Sequence, residues 1–282
     1  MTSFPLPFLA EISKIQERTF LPLFVKLSRL QEEFSIGIGA EQVRDVEPGF
    51  FEIYRKCQEQ TLTPFKEMHA MYEAACYVAR AGIAGDFVEC GVWKGGSSMI
   101  AALAFLQCGS CDRKLYLYDT YEGMPDLGCH DEDVGSGPFQ LAMKVATTLR
   151  GGHSGLFYAP IEEVRRNMQA TGYPEAQVVL VKGMVEKTLP ASAPERISIL
   201  HLDSDLYEST YHELAHLFPR LVTGGVLIID DYGNWKGSRK ATDRYFEEQG
   251  IRMFLRRAGG TGARLGLKAE AASPHSSICP MQ

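Results

Sequence analysis

Five short, almost continuously apolar runs, each followed by a stretch with helical spacing, limit most tightly what this chain can fold into. They cover 86–90 (Asp-Phe-Val-Glu-Cys), 115–118 (Leu-Tyr-Leu-Tyr), 177–181, 197–202 and 226–229. None alternates apolar with polar residues, as a half-exposed strand would. Continuous apolarity marks strands buried on both faces of a parallel sheet. The stretches between them, notably 97–107, 161–170, 209–218 and 239–248, read as covering helices. Strand alternating with helix predicts a doubly wound α/β sheet of Rossmann type. Two more runs, 251–255 and 264–268, flank a glycine-rich turn and read as an antiparallel closing hairpin.

Size and composition exclude several classes of function. A chain of 282 residues with 45% hydrophobic content builds one large α/β domain with additions, or at most two domains. The net charge of −6 is spread along the chain and offers nucleic acid no basic patch. No apolar run reaches the roughly 20 residues needed to span a bilayer. The first residues lack the positive start of a secretory signal, and the seven cysteines are irregularly spaced, so a cytoplasmic protein with free thiols is expected. Cys108-Gly-Ser-Cys111 has the spacing of half a zinc site, but no second pair completes it.

Three parts follow from the pattern. Residues 1–60 form a helical arm with Ile12, Ile15, Leu23, Leu27 and Leu30 at helical offsets, divided near Pro22. Such an arm packs on its own domain or on a second subunit, which favours a homo-oligomer. Residues 61–270 form the α/β domain, with a long insertion at about 122–158 read as a mobile lid with glycine hinges. Residues 271–282 read as a disordered tail.

In an open parallel sheet, ligands bind beyond the carboxyl ends of the strands, where strand order reverses. The first run ends in Glu89-Cys-Gly-Val-Trp-Lys-Gly-Gly-Ser-Ser98. The glycines allow a tight turn and a close ligand, but the spacing is not that of a dinucleotide fingerprint. Glu89 would repel a pyrophosphate and suits a cationic ligand, such as the amino acid end of S-adenosylmethionine (SAM). A purely structural strand-to-helix turn fits the same residues. The second run ends in Asp119, which can accept hydrogen bonds from ribose hydroxyls or cap the following turn. The third ends in Gly183-Met184, which could frame an adenine.

The last two runs end in His201-Leu-Asp-Ser-Asp205 and Ile229-Asp-Asp-Tyr232. If they are neighbours, about 4.8 Å apart, Asp203, Asp230 and Asp231 converge on one rim. Three carboxylates that close need a counter-charge, and an all-oxygen donor set favours Mg²⁺ over zinc. Single aspartates at strand ends are often helix caps; a D-x-D beside a D-D points to a cation.

Four stretches in order resemble the macrocin O-methyltransferase (TylF/MycF) family: Phe87-Val-Glu-Cys-Gly-Val-Trp-Lys-Gly-Gly-Ser-Ser98, Leu117-Tyr-Asp-Thr-Tyr-Glu-Gly-Met-Pro125, Leu202-Asp-Ser-Asp-Leu-Tyr-Glu-Ser-Thr210 and Gly224-Gly-Val-Leu-Ile-Ile-Asp-Asp-Tyr232. The resemblance covers about residues 61–256. It implies a class I SAM methyltransferase fold, with a mostly parallel seven-stranded sheet, helices on both faces and an antiparallel closing strand. It also implies Mg²⁺-dependent methylation of a hydroxyl on a sugar of a natural product or glycan. By that resemblance Glu89, Gly91 and Ser97 hold the methionine part of SAM, Asp119 its ribose, and Gly183 and Met184 lie near its adenine. Asp203, Asp230 and Asp231 ligate the metal, and Asp205 is the candidate base, with His212 as its rival. Ser204 departs from the family, where glycine is common. Two other readings use the same fold: a nicotinamide oxidoreductase, against which Glu89 and the glycine spacing stand, and a non-catalytic scaffold, with no need of both cofactor and metal residues.

Overall fold

The computed structural model describes residues 46–131 and 157–270. Their strands are β1 (Asp86–Cys90), β2 (Leu115–Asp119), β3 (Val178–Lys182), β4 (Ile197–Leu202), β5 (Leu221–Ile229), β6 (Arg256–Arg257) and β7 (Arg264–Leu267). They form one sheet in the order β3-β2-β1-β4-β5-β7-β6. The first five neighbours pair parallel, and β7 runs antiparallel between β5 and β6. The expected mostly parallel seven-stranded sheet with an antiparallel closing strand is therefore present.

Successive strand residues feed two different cores, which explains why these strands carry no polar face. Phe87, Ile199, Val226 and Ile228 join the core on one side. Val88, Leu200, Leu202, Leu227 and Ile229 join the other. Each such side chain stabilises the fold by about 1.5–3 kcal/mol relative to exposure. The first core is closed by α1 (Pro48–Cys57), α2 (Phe65–Arg80), α3 (Gly96–Gln107) and α4 (Ile161–Ala170). The second is closed by the short α5 (Val185–Thr188), with α6 (Tyr207–Leu217) and α7 (Lys236–Glu248). Proline at the start of α1 costs no hydrogen bond there, and its Phe50, Ile53 and Cys57 recur on one buried face.

Two details differ from the sequence reading. Residues 251–255 are not a strand; the pairing there is confined to Arg256–Arg257. Ile251, Met253 and Leu255 still pack against the second core, so their apolarity reflects burial rather than a ladder. The fifth strand begins earlier, at Leu221, with a register shift opposite Ile197/Ile199. Most of the arm (residues 1–45), most of the expected lid (132–156) and the expected tail from 271 lie outside the described residues. Among the described residues no helix is long and apolar enough to cross a membrane.

Candidate active site

The chain runs from β1 outward to β3 and then returns to the far side of β1 as β4, so the reversal of strand order falls between β1 and β4. Cys90 pairs with Leu202, and Leu202 with Ile229. The ladder continues one step further, through Asp203 N–H to the Cys90 carbonyl (2.8 Å) and Asp230 N–H to the Leu202 carbonyl (2.9 Å). Register alone thus places Gly91, Asp203 and Asp230 side by side at the carboxyl rim. Gly91 has φ +84°, and a Cβ there would run into the Asp203 carbonyl, so only glycine lets β1 and β4 stay this close.

A cavity of about 400 Å³ opens at this rim, within the usual size of small-molecule sites. All ten residues singled out in the sequence line it: Glu89, Gly91, Ser97, Asp119, Gly183 and Met184 on one side of the reading, Asp203, Asp205, Asp230 and Asp231 on the other. Six of the described lining residues are acidic, and none is Lys, Arg or His. The rival base His212 does not line it; its ring packs on His216 and its Nε2 faces the Leu189 carbonyl at 3.5 Å.

The cofactor side is built largely from satisfied backbone. One Asp119 carboxylate oxygen accepts the N–H groups of Val92 (2.8 Å) and Trp93 (3.0 Å), and the other accepts that of Tyr121 (2.6 Å). Burial raises the Asp119 pKa, and these donors oppose the rise. Asp119 therefore shapes the glycine turn as well as facing the cavity. Glu89 is 1% exposed, and its cross-strand neighbour is His201. The two meet at 3.0 Å between Oε1 and Nδ1, while Ser98 Oγ donates to Oε2. Burial works against a charged His201, but the Glu89 hydrogen bond and charge act the other way and the net shift is upward.

The acidic side has no such balance. One oxygen from each of Asp203, Asp230 and Asp231 lies within 4.8 Å of the others. Burial, then repulsion from neighbouring carboxylates (Asp230 and Asp231 on Asp203, Asp205 on Asp231, Asp231 on Asp230), pushes Asp203 and Asp231 well above the carboxylate range and Asp230 up to about 7. The residues fit a divalent cation: a buried and two half-buried carboxylates, all-oxygen donors, and repulsion that a hard ion of charge +2 would remove. Glu89, His201 and Asp203 form a second close group, but the first two already satisfy each other. Asp205 sits at φ +63°, uncommon for a non-glycine residue, and its N–H donates to Asp231 Oδ2 at 3.0 Å. That turn directs Asp205 back to the rim it would leave in an extended conformation, and burial raises its pKa to about 7.

Several contributors carried no signal in the sequence. Gln60, Thr61, Leu62 and Thr63 wall the cavity, and Gly96 permits their close approach, since a Cβ there would lie 2.5 Å from Thr61 Cβ. Ser204, the departure from the family pattern, donates to the fully buried Glu213 at 3.1 Å and so ties the Asp203–Asp205 turn to α6. Asp131 lies in the segment read as a lid. It is instead 6% exposed and accepts the first N–H of α6, from Tyr207, at 2.7 Å. Only tertiary structure brings residue 131 to that helix end.

The chain matches the family model described as macrocin-O-methyltransferase over residues 56–264. The 8-demethyl-8-(2,3-dimethoxy-alpha-L-rhamnosyl)-tetracenomycin-C 4'-O-methyltransferase of Streptomyces olivaceus is 34% identical over 202 residues, 72% of this chain and 73% of the relative. The demethyldecarbamoylnovobiocin O-methyltransferase of Streptomyces niveus is 30% identical over 185 residues, 66% of this chain and 67% of the relative. Among solved structures, the O-methyltransferase NovP aligns with a TM-score of 0.64 at 25% identity, over 86% of this chain and 100% of NovP.

Proposed function

This chain belongs to the macrocin-O-methyltransferase family, and from that premise we propose that it transfers the methyl group of SAM to a sugar hydroxyl of a natural product, with Mg²⁺ as its metal ion. The cavity's charge carries this reading. Six carboxylates face it with no cationic side chain among the described lining residues. Such a site suits a sulfonium, an ammonium and a divalent cation, and disfavours a pyrophosphate or a nicotinamide cofactor's phosphates.

The residues divide the work. Gly91 and Ser97, at the turn into α3, receive the methionine part of SAM, with Glu89 held by His201 beneath them. Asp119 accepts from the ribose with the lone pairs its backbone donors leave free, and Gly183 and Met184 border the adenine. Asp203, Asp230 and Asp231 would hold the cation. When bound, SAM would supply an activated sulfonium methyl and the cation would supply Lewis acidity toward the acceptor hydroxyl. Asp205 would take the proton of the acceptor hydroxyl, and the turn at φ +63° keeps that carboxylate at the rim; the methyl passing to the acceptor oxygen would leave S-adenosylhomocysteine as the departing group. Holding both reactants in line contributes much of the acceleration, since an oriented pair avoids the entropy of a bimolecular encounter. The relatives named above modify a rhamnosyl tetracenomycin and a demethyldecarbamoylnovobiocin. A glycosylated aromatic or macrocyclic product with a vicinal diol on its sugar is the acceptor class assigned.

The deciding experiment is calorimetric titration of SAM and, separately, of Mg²⁺ into the purified protein. Micromolar SAM binding, with Mg²⁺ binding that vanishes in Asp230→Ala, is expected. Absence of SAM binding with and without Mg²⁺ would leave only the fold in common with the family and return the scaffold reading.

A further inference from the structure

Four large hydrophobic side chains are exposed among the described residues, and three of them, Tyr77, Phe254 and Leu267, line one groove. Phe254 is 83% exposed. The groove holds about 380 Å³ and shares no lining residue with the active-site cavity. Ala70, Ala74 and Tyr77 of α2 form one wall, and the β5–β7–β6 edge of the sheet forms the other, with Glu73 and Arg256 as its charged members. Apolar surface gathered in this way is the mark of a covered site, because leaving it in water forfeits the hydrophobic gain of burial.

We propose that this groove seats the chain's own N-terminal segment, residues 1–45, docked within the same molecule. Three observations select that occupant. The first is composition: Ile12, Ile15, Leu23, Leu27 and Leu30 recur at helical offsets and give the segment an apolar stripe that needs a partner surface. The second is the starting point. Val46, where the described chain begins, packs against the first core, and Glu47 Oε2 bonds His69 Nε2 at 3.0 Å. His69 Nδ1 in turn lies 3.6 Å from Glu73, one of the groove's own residues. The segment therefore enters within two helical turns of its seat, and the residues between Leu30 and Val46 can span up to about 50 Å. The third is concentration. A tethered segment faces its groove at an effective concentration near the millimolar range, whereas a second copy at micromolar concentration must pay association entropy for the same apolar contact.

Nothing in this seat depends on the reaction assigned above, so its test reads no catalysis. In the full-length protein, Phe254 is replaced by photoreactive benzoylphenylalanine, a change that its exposure makes harmless to the core. Irradiation is expected to give an adduct of monomer mass whose digest joins residue 254 to a peptide from residues 1–45. An adduct of doubled mass would assign the groove to a second copy and overturn the proposal. So would a monomeric adduct to any other segment, or no adduct at all. Hydrogen exchange gives a second reading in the full chain: Leu27→Asp should speed exchange of the amides of residues 252–257 about tenfold or more. Unchanged exchange there would also overturn the docking.

Discussion

The two halves of the cavity are built on opposite principles. On the β1–β2 side the polypeptide satisfies itself: Asp119 is held by three backbone N–H groups, and Glu89 by His201 and Ser98. On the β4–β5 side Asp203, Asp230 and Asp231 crowd together beside Asp205, and burial with repulsion among these four carboxylates raises the three. A self-satisfied site is rigid before its ligand arrives and gains specificity from shape. A site of unbalanced charge is held at a cost to stability that an incoming cation offsets. The comparison teaches that the cofactor half should tolerate the loss of its ligand, while the acidic half should be destabilised by it.

The largest expected effects separate chemistry from holding. Asp205→Asn should lower kcat by about a hundredfold or more with little change in SAM affinity, since a general base contributes roughly 10²–10⁴-fold. His212→Asn should stay within about twofold of the parent. Single-turnover methyl transfer checks both, and near-normal turnover in Asp205→Asn would remove that residue from its role. Asp119→Asn should do the reverse, weakening SAM about tenfold or more in calorimetry while Mg²⁺ affinity holds. If it weakened both ligands equally, the two halves would not be separable.

Stability should cross over in Asp230→Ala. In EDTA the variant loses a repelling carboxylate and should melt above the parent; in saturating Mg²⁺ it should melt below, because only the parent gains ligand stabilisation. A variant less stable than the parent in both conditions would show that repulsion is not the main feature of the acidic half.

Acidity sharpens the same contrast. In the cation-free protein Asp230 keeps its proton to about pH 7, whereas an unfolded aspartate loses it near 3.8. Between those values the folded state binds more protons, so stability falls as pH rises through that window, by on the order of a few kcal/mol. Melting in EDTA should therefore decline from pH 4.5 toward 7.5, and saturating Mg²⁺ should flatten the decline. Cation binding displaces those protons, so Mg²⁺ affinity should climb with pH, with proton release visible in buffers of different ionisation enthalpy. Flat melting profiles with and without EDTA would count against coupled carboxylates at this rim.

The smallest effect concerns the support beneath the acidic half. Asp131→Ala removes the acceptor for the Tyr207 N–H at 2.7 Å. It should cost about 1 kcal/mol, or roughly 2–4 °C in Tm for a domain of this size. No change would mean that water replaces the cap fully.

Much of this was legible in the sequence, for reasons that can be located. Burial on both faces left the continuous apolarity of Phe87–Val88 and Val226–Ile229, so a doubly wound sheet could be read without coordinates. The rule that ligands bind beyond parallel strand ends then singled out Glu89, Asp119, Asp203, Asp205, Asp230 and Asp231, and the fold brings all of them to one cavity. That inference was local, because each residue lies within a few positions of its own strand. Periodicity misled at residues 251–255, where apolar side chains pack on the core without pairing.

What only the tertiary structure decided are pairings between residues far apart along the chain, for which no local pattern exists. Glu89 meets His201 because β1 and β4 are neighbours in register; Asp131 reaches the start of α6; Ser204 finds Glu213; Gln60–Thr63 lies against Gly96. Chain chemistry determined which groups stand at the strand ends, since hydrophobic burial is written residue by residue. Sheet order and register determined which of those groups share a charge environment, since that depends on distances that local sequence does not encode.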